Sequence, residues 1–307
     1  KIASGETQVV IGTHALVEEK TVFKKLGLVI IDEQHRFGVV QRLQLMAKGE
    51  NPNTLVMTAT PIPRTLAMTL YGDLDLSVID EMPSGRSPVR TALRTSSERA
   101  RIYRFVREEV KQGGRAAFVV PTLRDSDRTP AGTSALSVFL RLSSTIFPDL
   151  GTGLLHGKLP SEERERIMSR FASGEIQVLV ATTVLEVGID VPEASVVVVE
   201  QADRFGLAQL HQIRGRVGRG ARRSWCILIP SERATPQGTE RLNTLLEVSD
   251  GFEIARRDLL LRRSGEFLGL RQSGIPDMKV AHLPRDLDLL EIARAEALGG
   301  SDSSNPS

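Results

Sequence analysis

The stretch Gly27-Leu-Val-Ile-Ile-Asp-Glu-Gln-His-Arg-Phe-Gly38 decides the fold. Four branched apolar residues, Leu28 to Ile31, run directly into two carboxylates, Asp32 and Glu33. An unbroken apolar run of this length fits a buried parallel strand, and the acids then mark its carboxyl end. In open α/β sheets ligands collect just beyond such ends, where an Asp can hold Mg²⁺ while its neighbour polarises a water. Asp32 and Glu33 therefore read as half of a nucleotide site. A strand running into an acidic turn gives the same string, so partners elsewhere in the chain must decide.

Outward from this strand the pattern repeats. Gln8 to Thr13 is a β-branched run, strand-like over Val9-Val-Ile11, that ends in Gly12-Thr-His-Ala-Leu16. Thr54 to Met57 ends in Thr58-Ala-Thr60 and Pro61-Ile-Pro-Arg64, with Pro63 suited to the first turn of a helix through Leu70. Three short strands that each end in small or polar residues describe part of a parallel α/β sheet. Asp80 to Pro88 is rich in turn formers and reads as a linker, which bounds a first domain at residues 1–88.

From Val89 strands alternate with helices. Extended segments are expected at Val89 to Leu93, Arg115 to Val120, Leu154 to Gly157, Ile176 to Ala181, Val196 to Glu200 and Trp225 to Ile229. Helices are expected from about Ser97 up to Gly113-Gly114, around Leu136 to Ile146, and over Pro160 to Phe171, which carries acid at its start and base at its end. This spacing predicts a second doubly wound domain over residues 89–230. Residues 231–298 read as mostly helical, broken near Gly265 to Asp277, and 299–307 as a disordered tail.

Composition narrows the partners. The 307 residues suggest about two domains with ample apolar content for proper cores. Forty Lys and Arg nearly cancel 38 Asp and Glu. The isoelectric point of 8.8 suits a polyanion partner because the basic residues cluster late in the chain. The single cysteine, Cys226, sits in Trp225-Cys-Ile-Leu-Ile229, where a buried strand thiol is expected, and a disulfide within the chain is excluded. His14, His35, His156, His211 and His282 show no metal-ligand spacing, so no structural zinc is predicted. No apolar run approaches a membrane span and no signal peptide is visible, which makes the cytoplasm the default. The chain opens on Lys1 and reaches a strand-like run almost at once, so it reads as a piece of something longer.

The most specific string is Gln209-Leu-His-Gln-Ile-Arg-Gly-Arg-Val-Gly-Arg-Gly220. Arg214, Arg216 and Arg219 alternate with Gly215 and Gly218, which lets the backbone turn tightly and is expected to aim the guanidinium forks at one place. Such forks match phosphate geometry. An RNA-binding Arg-Gly patch or a solvated basic face would give a similar string. Here, however, it follows Thr182-Thr-Val-Leu-Glu-Val-Gly-Ile-Asp-Val-Pro192 by the length of one strand and one helix.

Taken together, Asp32-Glu-Gln-His35, Thr58-Ala-Thr60, Thr182 to Pro192 and Gln212 to Arg219 resemble motifs II, III, V and VI of superfamily 2 helicases, in order and on strand ends. The fuller strings Asp32 to Gly38, Met57 to Leu66 and Glu200 to Gln212 resemble the RecG family of bacterial branch-migration DNA helicases. The resemblance implies two RecA-like parallel-sheet lobes, the first truncated, plus a helical carboxy-terminal extension. It implies ATP and Mg²⁺ as cofactors and branched or duplex DNA as partner, and it favours a monomer.

Roles follow from the same resemblance. Asp32 would reach the metal and Glu33 would activate the attacking water. Gln34 and His35 would couple the nucleotide to the second lobe. Arg216 and Arg219 resemble arginine fingers, with Gln212 sensing the nucleotide. Gly188 and Asp190 would lie near the nucleotide, and Thr182 and Thr183 would touch DNA phosphates. Thr58 and Thr60 would link ATP state to lobe closure. Arg241, Arg262 and Gln272 fall on the family's coupling positions, in a hairpin and loop implied to convert lobe movement into duplex translocation. Where the family usually has Arg-Gly-Pro-Gly, this chain has Arg262-Arg-Ser-Gly265.

A phosphate-cradling loop needs Gly, four residues, then Gly-Lys and Ser or Thr, and no such string occurs in the sequence. That motif, the adenine-contacting segment and the family's wedge domain are expected before Lys1, so the isolated chain is expected to be inactive. The transcription-repair coupling translocase shares the Thr-Ala-Thr-Pro-Ile-Pro-Arg string, while Gln34 and Tyr71-Gly-Asp-Leu-Asp75 favour the RecG family. A non-catalytic DNA-binding or regulatory module is the remaining alternative.

Overall fold

The computed structural model describes residues 1–33, 39–58, 75, 77–79, 81, 87–125, 132–182, 194–218, 223–261, 289, 292–293 and 296. The chain divides into two compact units, Lys1–Leu76 with Arg262–Ser307, and Ser77–Leu261. The Pro63 helix, most of the expected linker, the break near Gly265 and the tail lie outside the described residues.

In the first unit β1 (Leu28–Ile31) and β2 (Asn53–Val56) pair in parallel, with Ile31 opposite Val56, and α1 (Val39–Met46) lies between them in sequence. Beyond the ladder the Met57 N–H still donates to the Ile31 carbonyl at 2.8 Å. Val29 and Ile31 are buried with Leu45, backed by Val17 and Leu26. Two expectations change here. Leu28 and Ile30 are 56% and 55% exposed, so β1 is covered on one face and not on both. The run Val9-Val-Ile11 forms no strand, and Ile11 is 94% exposed. β-propensity alone does not make a strand. A neighbour to complete the ladder and an apolar layer to cover the side chains are also required.

The second unit holds a six-stranded, all-parallel sheet. Its strands are β3 (Arg90–Leu93), β4 (Arg115–Val119), β5 (Thr152–Leu155), β6 (Val178–Ala181), β7 (Ala194–Glu200) and β8 (Trp225–Ile229), in the order β3-β8-β7-β4-β6-β5. Period-2 alternation sends Ala117, Val119, Val197 and Val199 to one face and Ala116, Phe118, Val196 and Val198 to the other. Both faces are covered, so β6 and β7 are buried along their whole length.

Helices α2 (Arg99–Lys111) and α3 (Ala135–Arg141) cover one face through Ile102, Val106, Ala135 and Val138. Helices α4 (Ser161–Ser173), α5 (Leu207–Gly215), α6 (Pro236–Glu247) and α7 (Gly251–Leu261) cover the other through Phe171, Leu210, Ile213, Leu242, Leu245 and Ile254. Gly113 ends α2 with φ 82° and Gly174 ends α4 with φ 86°, left-handed positions that favour glycine. The helix expected through Ile146 is α-helical only to Arg141 and widens into a π turn over Leu142–Ile146.

Candidate functional site

In the first unit the site is built by register. Parallel pairing of β1 with β2 brings their carboxyl ends to one edge, which puts Asp32 and Glu33 beside Met57 and Thr58. Asp32 is exposed, and its Oδ1 accepts the Glu33 backbone N–H at 2.8 Å. Glu33 has φ 48°, a left-handed backbone that a residue with a long side chain seldom adopts. Such outliers collect at sites where side-chain direction matters more than local strain. An exposed carboxylate with one oxygen oriented by a backbone N–H suits a hard divalent cation. Asp32 could supply one oxygen to such a cation, and the sequence holds no phosphate-loop string to seat a triphosphate.

In the second unit the pieces come from strand ends and from α5. Thr182 follows β6 directly, is buried, and donates its N–H to the Leu155 carbonyl at 3.2 Å. Gln212 is buried on α5, and Arg216 caps that helix, its N–H reaching the Gln212 carbonyl at 3.0 Å. Four residues apart, Gln212 and Arg216 share one side of the helix end. Arg241 on α6 donates from Nη2 to the Asp203 carbonyl at 3.4 Å, and the Asp203 carboxylate accepts from Ser231 N and Oγ at 2.6 and 2.7 Å. Gln34, His35, Thr60, Thr183, Gly188, Asp190, Arg219, Arg262 and Gln272 lie outside the described residues.

The expectation that Arg214 joins Arg216 in facing a phosphate is overturned. Arg214 turns inward and is 8% exposed, donating from Nη1 to the carbonyls of Leu245 and Val248 at 3.0 and 3.1 Å. Its Nη2 donates to the Ser249 carbonyl at 3.2 Å and meets His211 Nδ1 at 3.1 Å. Two residues along an α-helix is a rotation of roughly 200°, so Arg214 and Arg216 cannot share a face. The glycines separate as well. Gly218 has φ 72°, and a Cβ there would sit 2.3 Å from Ser224 Oγ, whereas Gly215 is helical with nothing within 4 Å.

Burial sets the charge of this interior cluster. His211 is held down to about 4, by desolvation first and then by the Arg214 cation, against a smaller opposing pull from Asp250. The neutral ring can therefore accept from Arg214. Burial likewise pushes the Cys226 thiol up to about 12, an inert strand thiol as expected.

One polar network lies outside the sequence-derived expectations. The sheet order places β4 beside β7, yet the helices that follow them, α3 and α5, cover opposite faces. That makes a topological switch point at their carboxyl ends. There Glu200 is buried and paired with Arg99, and Gln201, at φ 50°, donates from Nε2 to the Thr133 carbonyl at 3.1 Å. An acid ending the apolar run Val196 to Glu200 repeats the Ile31-Asp32 pattern and could have flagged it, but Arg99 lies 101 positions away.

Comparison with known proteins gives three family matches. They are DEAD/DEAH box helicase over residues 1–69, Helicase conserved C-terminal domain over 98–221, and ATP-dependent DNA helicase RecG, domain 3, C-terminal, over 248–305. The chain is 52% identical to the ATP-dependent DNA helicase RecG of Thermotoga maritima over 96% of its own length and 38% of that protein. It is 48% identical to that of Bacillus subtilis over 97% of itself and 43% of the relative. It thus spans about two fifths of the curated relatives it matches. A solved structure of RecG bound to a three-way DNA junction superposes with a TM-score of 0.68 at 48% identity, covering 94% of this chain and 37% of that one. Mss116p bound to single-stranded RNA and AMP-PNP, 16% identical with a TM-score of 0.56, shares the fold. No helix among the described residues is long and apolar enough to cross a membrane.

Proposed function

The chain belongs to the RecG family of DNA helicases, and from that premise we propose that it supplies motor residues of an ATP-dependent DNA helicase that migrates Holliday junctions and regresses stalled replication forks. The observation that carries the reading is the shared carboxyl edge of β1 and β2, where Asp32, Glu33 and Thr58 stand together. A carboxylate suited to Mg²⁺ and a second carboxylate beside it are parts that in-line phosphoryl transfer uses at a strand edge, and Thr58 follows the neighbouring strand at the same edge. Glu33 orients and deprotonates the attacking water. Arg216 and Arg219 stabilise charge on the transferring group, Gln212 senses the nucleotide, and Gly188, Asp190, Gln34 and His35 lie near it.

Thr182 and Thr183 contact DNA phosphates, Thr58 and Thr60 report nucleotide state, and Arg241, Arg262 and Gln272 pass it to the DNA. Bound Mg²⁺ and ATP supply the charge-neutralising metal and the phosphoryl group. The substrate is branched or duplex DNA in the bacterial cytoplasm, and the enzyme works as a monomer. The lobe boundaries follow the sequence reading, 1–88 and 89–230, with 231–298 as the translocation hairpin.

The isolated 307-residue chain lacks the phosphate-loop string and is proposed to show no DNA-stimulated ATP hydrolysis. Turnover by this chain that disappears on Glu33→Gln would overturn that statement. In an intact helicase carrying this sequence, Glu33→Gln is expected to stop hydrolysis while junction binding persists. Wild-type turnover in that variant would refute the assignment.

A further inference from the structure

Arg214 is a buried cation whose acceptors, among the described residues, are three main-chain carbonyls and one neutral imidazole nitrogen. Burying a guanidinium is costly, and desolvation lowers its proton affinity here. The carbonyls of Leu245, Val248 and Ser249 belong to the end of α6 and the corner that leads into α7. A helix carboxyl end gathers partial negative charge and unsatisfied carbonyls, so this corner is a place where such a cation can be accommodated. If anchoring were the only demand, an apolar contact between α5 and α6 would suffice, and Ile213, Leu242 and Leu245 already share that core.

The fork does something an apolar contact cannot. It fixes distance and direction from one helix to three successive points on the corner of another. Arg216 follows two residues later, on the last turn of the same helix. A shift of the α6–α7 corner therefore displaces the backbone that carries Arg216, and a shift at Arg216 is passed back to the corner. His211 completes the fork from the preceding turn and remains neutral at physiological pH.

We propose that Arg214 is a positioning residue that ties the orientation of Arg216 to the corner between α6 and α7. The proposal rests on the reading of Arg216 as a finger, and the test separates the two. In an intact helicase carrying this sequence, Arg214→Lys keeps the charge and the stem but cannot reach three carbonyls at once.

Its maximal rate of DNA-stimulated ATP hydrolysis is expected to fall at least about tenfold, as misplacement of a catalytic group does, with KM for ATP and junction affinity within about twofold of wild type. Rates are scaled to folded protein by thermal unfolding. Leu242→Ala, which loosens the same core at a residue that gives the fork no acceptor, is expected to lower stability while keeping the rate per folded molecule. Arg216→Ala and the Arg214→Lys/Arg216→Ala double variant are expected to hydrolyse equally slowly, since a residue that acts through another adds nothing once that partner is gone.

Wild-type hydrolysis by Arg216→Ala would remove the finger reading beneath the proposal. With a slow Arg216→Ala variant, three results would overturn the positioning role itself. They are a wild-type rate in Arg214→Lys, a further independent loss in the double variant, and an equal rate loss per folded molecule in Leu242→Ala.

Discussion

Arg99 and Glu200 form a two-pronged ion pair at the switch point of the second sheet, Nη2 donating to Oε2 at 2.7 Å and Nη1 to Oε1. The Glu200 side chain is 4% exposed and the Arg99 side chain 28%. Burial works against the Arg99 charge, but the Glu200 carboxylate outweighs it and the net shift is upward. The pair joins the start of α2 to the end of β7, so two connections that leave the sheet on opposite faces share one electrostatic tie.

Removing one partner should leave an uncompensated carboxylate inside the unit. Arg99→Leu is expected to cost about 3 kcal/mol in urea unfolding, and Arg99→Leu with Glu200→Leu to recover part of that loss. A single-variant cost below about 0.5 kcal/mol would mean that solvent screens the pair.

The two glycines of the arginine-rich turn should behave oppositely. Gly218→Ala meets both a positive φ and Ser224, and is expected to destabilise by about 1–3 kcal/mol. Gly215→Ala sits at the end of α5 in open space and should be neutral or stabilise by up to about 1 kcal/mol. Chemical denaturation of the pair decides it, and equal effects would contradict the backbone assignment.

Acid should act on His211. Its folded-state value of about 4 lies below the ordinary 6.5, so between these values the unfolded chain binds the extra proton. The contribution is present above about 6.5 and is lost as pH falls toward 4. His211→Gln is expected to flatten stability against pH in that window, measured by thermal unfolding in low-salt buffers. An unchanged slope would show that the ring titrates normally.

Arg262→Ala in an intact helicase is expected to leave most DNA-stimulated hydrolysis while cutting junction unwinding at least about tenfold, the signature of a coupling residue. Parallel loss of both activities would argue against that role.

The local features of this fold were readable in the chain. Leu28–Ile31 and Trp225–Ile229 are strands with the expected bounds, each an apolar run with clear flanking breaks that also has a parallel neighbour to complete its ladder. The end of α2 was equally legible, at Gly113-Gly114, where a left-handed glycine stops it. The order of the motif strings was also readable, as were the strand ends that carry Asp32, Thr58 and Thr182, whereas Gln212 to Arg216 lies at the end of a helix and not of a strand. The strings were enough to identify the family, since each string lies within a dozen neighbouring residues.

What only the tertiary structure decided are relationships between distant residues and between side chains and solvent. Val9-Val-Ile11 has the composition of a strand and lacks a ladder, and β1 has four apolar residues and one covered face. Pairing and coverage belong to the neighbours of a strand and not to the strand itself. The contrast is sharpest at Arg214 and Arg216, which look equivalent in an alternating Arg-Gly string. A helix turns about 100° per residue, so two positions apart they enter different surroundings. Arg214 found three carbonyls more than 30 positions away, a partnership that no local pattern in the chain announces.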